Sequence, residues 1–431
     1  MDIEGNKIGL ALSGGGYRAA AYHIGTLRAL HKLKILEKVD VISSVSGGSI
    51  TSAYYLLHKD NYWEFEQTFS HKLKIGVLHI AIINFFVVLT AIGALIYWVG
   101  WWSLSLSLVV LWFANYHILP LSFWIEKQYN WLFFKKKTLS DLPQTPSVVI
   151  NTTDVAKGRS FRFSRNRAWG YDYVNRDDRQ DVFSGENFPI AKAVMASSCV
   201  PFAFSPIRMP EKYRRYNHYK CPLLVDGGLY DNQGTYELTG SSDDEMHTKY
   251  IIVSNAGNTE LTDKWKTNIP LMLALTSNIL MKRIERMQSR LIMFETNNVN
   301  RRIANSALNY EVSDRIITGF LRGIKNGNVP AELYTLHSIT ENEAQNVKNV
   351  FSSNNLEDKE FINSIISKIK QSIQWDELEE IKPSFEEINI AKKVGTNLIG
   401  LSKKEIDSLI KFAEWMTTIQ VRLYLPNLLD K

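Results

Sequence analysis

The first clear pattern in the chain is a short run without polar alternation, Ile8-Gly9-Leu10-Ala11-Leu12. Such a run predicts a strand buried on both faces. A glycine cluster ends it, and Ala19–Lys34 then carries an apolar stripe at helical spacing. Strand, glycine turn and helix repeat at Val39–Val45 and from about Gly48 to His58. Further on, Ser147–Asn151 and Arg159–Phe163 read as strands around a turn at Lys157-Gly158. Ile190–Ser197 reads as a helix, and Leu223–Val225 and Tyr250–Ser254 as strands. This alternation predicts a mixed, mainly parallel sheet with helices on both faces. After about Lys264 the pattern is mostly helical. Ile269–Phe294 has an apolar stripe with Lys282, Arg283, Arg286 and Arg290 on its other side. Ser402-Lys403-Lys404-Glu405 is a capping box that opens a helix running to about Leu423. The polar stretches 240–247 and 352–360 read as loops.

One stretch departs from this scheme. From Ile75 to Ile125 there is no Asp, Glu, Lys or Arg. Its length holds two helices of ~20 residues, each able to cross a hydrocarbon core of ~30 Å. The expected spans are Val77–Val99 and Leu104–Trp124, joined by Gly100-Trp101-Trp102-Ser103. A buried hairpin of this length in a soluble core should show a polar face. His79, Asn84, Asn115 and His117 are expected to bond between the helices, and Pro120 to kink the second. Lys72 and Lys74 precede the stretch, Lys127 and Lys135-Lys136-Lys137 follow it, and the connecting turn is uncharged. Lysine bias of this kind puts both ends on the cytoplasmic side. Trp98, Trp101, Trp102, Trp112, Trp124 and Trp131 cluster here, as interfacial aromatic belts do.

Composition narrows the classes. The 431 residues suffice for one large domain or two ordinary ones. The net charge of +6 suits an anionic membrane surface, and with no nucleic-acid signature beside it no nucleic-acid partner is expected. Cys199 and Cys221 are the only cysteines, too few for a disulfide framework or a cysteine zinc site. No metal-ligand spacing occurs, so neither metal nor cofactor is expected. The amino terminus shows no basic-then-apolar leader, which predicts a cytoplasmic catalytic part and cytoplasmic termini. The run from Lys157 to Arg167 alternates basic and aromatic residues. It reads as a strand with a solvated face, with attraction to anionic headgroups as the alternative.

Three clusters carry chemistry. Gly14-Gly15-Gly16-Tyr17-Arg18 lies between a strand and a helix, where glycines let N–H groups converge at the positive end of the helix dipole. Such a nest can hold a phosphate or an oxyanion. It lacks the spacing of nucleotide-binding loops. Ser44-Val45-Ser46-Gly47-Gly48 joins the next strand to the next helix. A nucleophilic serine needs a strained turn of this kind with small neighbours on both sides. Asp226-Gly227-Gly228 follows an apolar strand, with two glycines to turn the chain and bring the carboxylate to the same sheet edge. Taken alone, each cluster is commonly just a turn.

In order and context these clusters resemble the patatin-like phospholipase family. Asn151-Thr152-Thr153-Asp154 with Gly158 and Phe163, the segment Ala196–Pro206, and Leu401 through Arg422 match it as well. The resemblance implies a three-layer α/β/α fold with a mainly parallel central sheet. It also implies a Ser46–Asp226 dyad and an oxyanion hole from Gly14, Gly15 and Gly16 braced by Arg18. Ser44, Gly47, Gly48, Gly227 and Gly228 would then shape the turns. The sequence departs from the family at Ser44 and Ala19, where glycine is usual, and at Ser13. His218, His247 and His337 sit in no context that aims an imidazole at Ser46, so a histidine triad is set aside.

The expected organisation has four parts: a first catalytic part at 1–74 and the transmembrane hairpin with its basic flank at 75–137. A second catalytic part follows at 138–263, and a mainly helical part packed on it at 264–431. The expected activity is cleavage of glycerophospholipid acyl esters by a membrane-anchored hydrolase, with membrane phospholipid as substrate and the bilayer as partner. A neutral-lipid or lysophospholipid hydrolase, an acyltransferase, and a silent membrane scaffold are the alternatives. A homo-oligomer stays open.

Overall fold

The computed structural model describes residues 6–430 apart from 106, 108, 110–120, 202, 240–245, 258–268, 299–300 and 354. Its strands are β1 (Ile8–Leu12), β2 (Val41–Val45), β3 (Ser147–Asp154), β4 (Arg159–Phe163), β5 (Arg167–Gly170), β6 (Phe183–Ser184), β7 (Ile207–Arg208), β8 (Leu223–Asp226), β9 (Tyr250–Asn255) and β10 (Arg302–Ala307). They form one sheet in the order β10-β9-β1-β2-β3-β4-β5-β6, with β8 pairing β3 and β7. The five strands from β10 to β3 run parallel. Central β1 and β2 are buried at every residue, which is why they read as continuous small or apolar runs.

Register places the three chemical clusters side by side. Leu12 of β1 pairs with Ser44 of β2, so the glycine nest and the Ser46 turn leave adjacent strands at one level. Val45 pairs in parallel with Asn151 on β3, and Thr152, the next residue, pairs in the antiparallel sense with Asp226. β3 therefore splints the serine strand to the aspartate strand.

The helices before the carboxyl-terminal part are α1 (Gly16–Lys32), α2 (Gly47–Leu57), α3 (Tyr62–Lys72), α4 (Leu78–Val99), α5 (Leu121–Tyr129) and α6 (Ile190–Ser197). After them come α7 (Ile269–Asn298), α8 (Arg315–Lys325), α9 (Ala331–Leu336), α10 (Glu341–Val350), α11 (Leu356–Ser372), α12 (Trp375–Glu380), α13 (Phe385–Lys393) and α14 (Lys403–Tyr424). α14 opens on the expected capping box, in which Ser402 Oγ accepts from Glu405 N–H at 3.3 Å and Glu405 accepts from Ser402 N–H at 2.8 Å. It packs along α1. Arg28 and Lys32 of α1 hold the buried Glu414 at 3.1 and 2.6 Å, and the Trp415 ring is fully buried beneath them.

The main core, including Leu10, Tyr17, Tyr22, Ile50, Phe412 and Trp415, fills one face of the sheet. The opposite face carries a smaller cluster of Ala11, Val41, Val149, Ile251 and Val253 under Leu238 and Met246. Helices were expected on both faces. Here a looped segment supplies Leu238 and Met246 to the second face.

Among its helices the part after residue 264 adds one strand, β10, to the sheet edge. Two further expectations are corrected. Most of the 352–360 stretch belongs to α11, because Glu357 and Asp358 favour its first turn and Ile365 and Ile369 bury the next. The second concerns the hairpin. Among the described residues no helix is long and apolar enough to cross a membrane, so the two expected spans are not supported. α4 occupies most of the first and exposes Ile83, Phe86, Val87, Leu95, Trp98 and Val99. Much of the second, including Trp112, Asn115, His117 and Pro120, lies outside the described residues. Its end is part of the catalytic body: α5 starts at Leu121 and buries Ser122, Ile125 and Tyr129. Most of the expected loop 240–247 also lies outside the described residues.

Candidate active site

Ser46 is the residue between β2 and α2, and its backbone is strained at φ 49° and ψ −116°. A non-glycine residue at positive φ persists only where its surroundings hold it. Those surroundings are identifiable. The Ser46 N–H donates to Ser197 Oγ at 2.8 Å, and Ser197 Oγ–H donates to the Asn151 carbonyl at 2.6 Å. Ser49 Oγ lies 3.0 Å from the same hydroxyl. Behind it, Ser52 donates to Ser44 Oγ at 2.8 Å and Ser44 to the Val149 carbonyl at 3.2 Å. A serine therefore fits where the family favours glycine. Gly47 allows the closest approach: a Cβ there would lie 2.1 Å from the Gly16 carbonyl oxygen.

The Ser46 hydroxyl lies near enough to the Asp226 carboxyl to favour its charged form. Asp226 is 2% exposed, and its Oδ1 accepts from Gly228 N–H at 2.7 Å. Its own N–H donates to the Cys199 carbonyl at 2.9 Å, and Thr153 Oγ1 donates to its carbonyl at 2.9 Å. Burial pushes the carboxyl up to about 7, against the Gly228 N–H and the nearby Ser46 hydroxyl, which favour the charged form. The group is thus poised to take or give a proton near neutrality.

The nest is more differentiated than its sequence. The Gly14 N–H donates to the Asn232 carbonyl at 2.9 Å and the Tyr17 N–H to the Asn397 carbonyl at 2.9 Å. The amides of Gly15 and Gly16 make no hydrogen bond among the described residues. Both glycines have positive φ, 142° and 59°. Arg18 turns away from the serine. Its Nε donates to the Ala256 carbonyl at 2.9 Å and its Nη1 to the Val394 carbonyl at 3.3 Å, which ties the nest to the end of β9 and to the segment before α14. Burial lowers the guanidinium to about 10, so it stays charged. Gly48 packs on the Leu12 carbonyl, Gly227 on Asn151 and Gly228 on Asn232.

Sequence reasoning missed Ser197, Asn232 and Asn397. Ser197 stood inside a recognised segment with no role assigned. Asn397 had no local signal, since its contact joins residues far apart in the chain. Among the described residues no histidine is hydrogen-bonded to Ser46 or Asp226. His337 bonds Ser372 and the Leu423 carbonyl, His247 bonds Arg301, and the His218 ring packs on Tyr219. No metal-ligating cluster is present among the described residues.

The fold and site define a mixed α/β protein with a strained, buried serine near a buried carboxyl and two amides that make no hydrogen bond among the described residues. The patatin-like phospholipase family model matches residues 10–238, just over half of the chain, and the protein belongs to that family. No curated protein matches it. Similar solved structures include human GIVD cytosolic phospholipase A2, at 12% identity and TM-score 0.38, covering 57% of this chain and 45% of that one. VipD from Legionella pneumophila shares 14% identity at TM-score 0.31, covering 96% and 91% of the two chains. The complex of SpcU with ExoU from Pseudomonas aeruginosa gives 14% and 0.24, covering 94% and 87%. The matched part spans less than half the length of the human enzyme.

Proposed function

We propose that the protein hydrolyses acyl esters of glycerophospholipids, with Ser46 as nucleophile and Asp226 as its base. The observation that carries this reading is the strained Ser46 beside the buried Asp226 carboxyl, whose charged form its hydroxyl favours. In the ionised form Asp226 accepts the Ser46 proton as Oγ attacks the acyl carbonyl. The free amides of Gly15 and Gly16 stabilise the oxyanion that forms. Gly14, whose amide is engaged by Asn232, serves instead to let the two loops touch, and Arg18 braces the nest. Collapse of the intermediate releases the lysophospholipid, whose alkoxide takes the proton held by Asp226. Water, deprotonated by the same carboxylate, then attacks the acyl-enzyme; the fatty acid leaves and the proton on Asp226 returns to Ser46 Oγ.

The substrate surface in this reading is a bilayer. α4 presents Phe86, Trp98 and Val99 to solvent at 60%, 84% and 65% exposure, in a concentration that soluble proteins avoid unless the surface is used. Lys135 and Lys136, exposed after α5, suit anionic headgroups. α4 thus seats the catalytic part on the bilayer surface. α5 links it to the aspartate, since Ser122 Oγ donates to the Ser205 carbonyl at 2.5 Å, beside Cys199.

Fatty-acid release from mixed phospholipid liposomes tests the chemistry. Release by the wild type and its loss in both Ser46→Ala and Asp226→Ala are expected; release that persists in both variants excludes the dyad. Flotation with the same liposomes tests the seating. Phe86→Asp with Trp98→Asp should leave the protein in the dense fraction, and unchanged flotation would remove α4 from the contact.

A further inference from the structure

A half-open cavity lies away from Ser46, at the β10 edge of the sheet. It holds about 640 Å³ between β9, β10, α7, the start of α8 and the end of α14. Its apolar lining wraps round the edge strand β10, with Val253 and Ile303 on the smaller-core face and Ile316, Leu333 and Tyr424 on the main-core face. Besides the ion-paired Arg302 and Arg315 and the carboxylates Glu285 and Glu311, the lining has two exposed cations. Arg286 and Arg290 of α7 line it, both are exposed, and among the described residues neither makes an ion pair.

Two polar groups inside are incompletely satisfied. Arg302 is 8% exposed and bonds Glu332 at 2.5 Å and Asn427 at 3.4 Å, yet its buried Nε has no partner. Asn305 gives one end of its amide to the Tyr310 hydroxyl at 3.1 Å, and the buried other end has none. Buried polar atoms left unpaired are rare and costly, so each of these two calls for a polar partner, a water or a ligand group. Apolar walls with guanidinium groups at the rim and one buried N–H donor fit an amphiphile with a single chain and an anionic head.

We infer that this cavity is a second lipid site that takes a single-chain anionic lipid. On the function proposed above, both sources of such a molecule are products of the enzyme: the released fatty acid and the lysophospholipid.

The cavity also adjoins both loops of the active site. Glu285, on the same turn as Arg286, accepts from Asn255 Nδ2 at 2.7 Å, and Asn255 precedes the Ala256 carbonyl that holds Arg18. Gln233 donates to Ser289 Oγ at 3.0 Å, and its neighbour Asn232 supplies the carbonyl that engages the Gly14 amide. A lipid lodged under α7 therefore rests against the helix that braces the nest and the loop after Asp226.

Photo-crosslinking of the full chain in nonionic detergent tests the site without requiring hydrolysis, so a failed dyad and a failed lipid site give different results. The probes are photoactivatable analogues of oleate and of 1-oleoyl-lysophosphatidate, each with its unlabelled form as competitor. Crosslinked peptides from 285–290 and 302–316 are expected, with the stronger probe naming the source. Arg286→Glu with Arg290→Glu should cut labelling there about tenfold, since each lost rim contact weakens binding only modestly. Gly319 lines the cavity, and a Cβ there meets no atom within 4 Å. Gly319→Phe should therefore block labelling while the thermal melting transition is kept. Labelling confined to α4 or to peptides around Ser46 overturns the proposal. Equal competition by uncharged monoolein overturns its anionic part.

Discussion

The turn that carries Ser46 and the loop that carries Asp226 reach the same sheet edge by different means. The serine turn is made locally: a buried strand, small residues on both sides and a helix that starts at once force φ to 49° at one residue. The aspartate has no such strain, with φ −47° and ψ 132°. Its position comes from elsewhere, through Cys199, Thr153 and the pairing of β8 with β3. Its reactivity comes from burial, which no neighbouring residue encodes. A nucleophile can thus be written into a pentapeptide, whereas its base has to be assembled by the fold.

Substitutions at the two positions should separate these contributions. Ser46→Ala removes the attacking atom and should lower ester hydrolysis by about 10⁴-fold or more, as loss of a nucleophile does elsewhere. The melting temperature should rise or hold, because the backbone bonds to Ser197 remain. Asp226→Asn keeps the shape and the Gly228 bond but cannot accept the proton, so a loss of about 10³-fold in kcat is expected. Liposome assays with thermal melts measure both. A larger loss for Asp226→Asn than for Ser46→Ala would reverse the comparison and point to a carboxylate nucleophile.

How much of this was legible follows the same division. β1, β4 and α6 match their expected limits, because buried runs and a short apolar helix announce themselves locally. The Ser46 turn was legible for the same reason. Asp226 was legible only through its place in a family pattern, since Asp-Gly-Gly alone is a common turn. Gly14 shows the limit of motif reading. Three glycines look equivalent in sequence, and a carbonyl from Asn232 removes one amide from use. The apolar stretch after Ile75 was conspicuous in composition, yet its end was misplaced. Ser122 and Ile125 continue its uncharged pattern while belonging to the interior of the catalytic body.

Ser197 offers a sharper test of how the strained turn is held. Its hydroxyl is the sole side-chain acceptor for the buried Ser46 N–H among the described residues. Ser197→Ala leaves that donor unsatisfied, at a cost of about 1–3 kcal/mol in stability. The greater effect should be on rate, with kcat down about 10²-fold if the serine oxygen shifts by an ångström, and KM little changed. Urea unfolding and steady-state kinetics measure the two. A stability loss without a rate loss would mean that the turn holds Ser46 without its brace.

The smallest predicted effect concerns pH and bears on the aspartate alone. Its carboxyl is raised by burial to about 7, so the base becomes competent as pH climbs through neutrality. Between pH 6 and pH 8 the ionised fraction grows about tenfold, and kcat/KM should follow it. Stability moves the other way. The unfolded chain releases this proton near pH 4 and the folded chain keeps it until about 7, so the native state is favoured most below the unfolded pKa. That advantage is lost as pH rises through the folded value and stays lost above it. Asp226→Asn cannot ionise. It should therefore melt with the wild type at pH 4 and above it at pH 8, by about 2–4 kcal/mol in unfolding free energy. A rate profile flat from pH 6 to 8, together with identical melting at pH 8, would mean that the carboxylate is already ionised in the fold. Asp226 would then be a base of ordinary strength, and the contrast between a locally written serine and a fold-tuned aspartate would shrink to one of position.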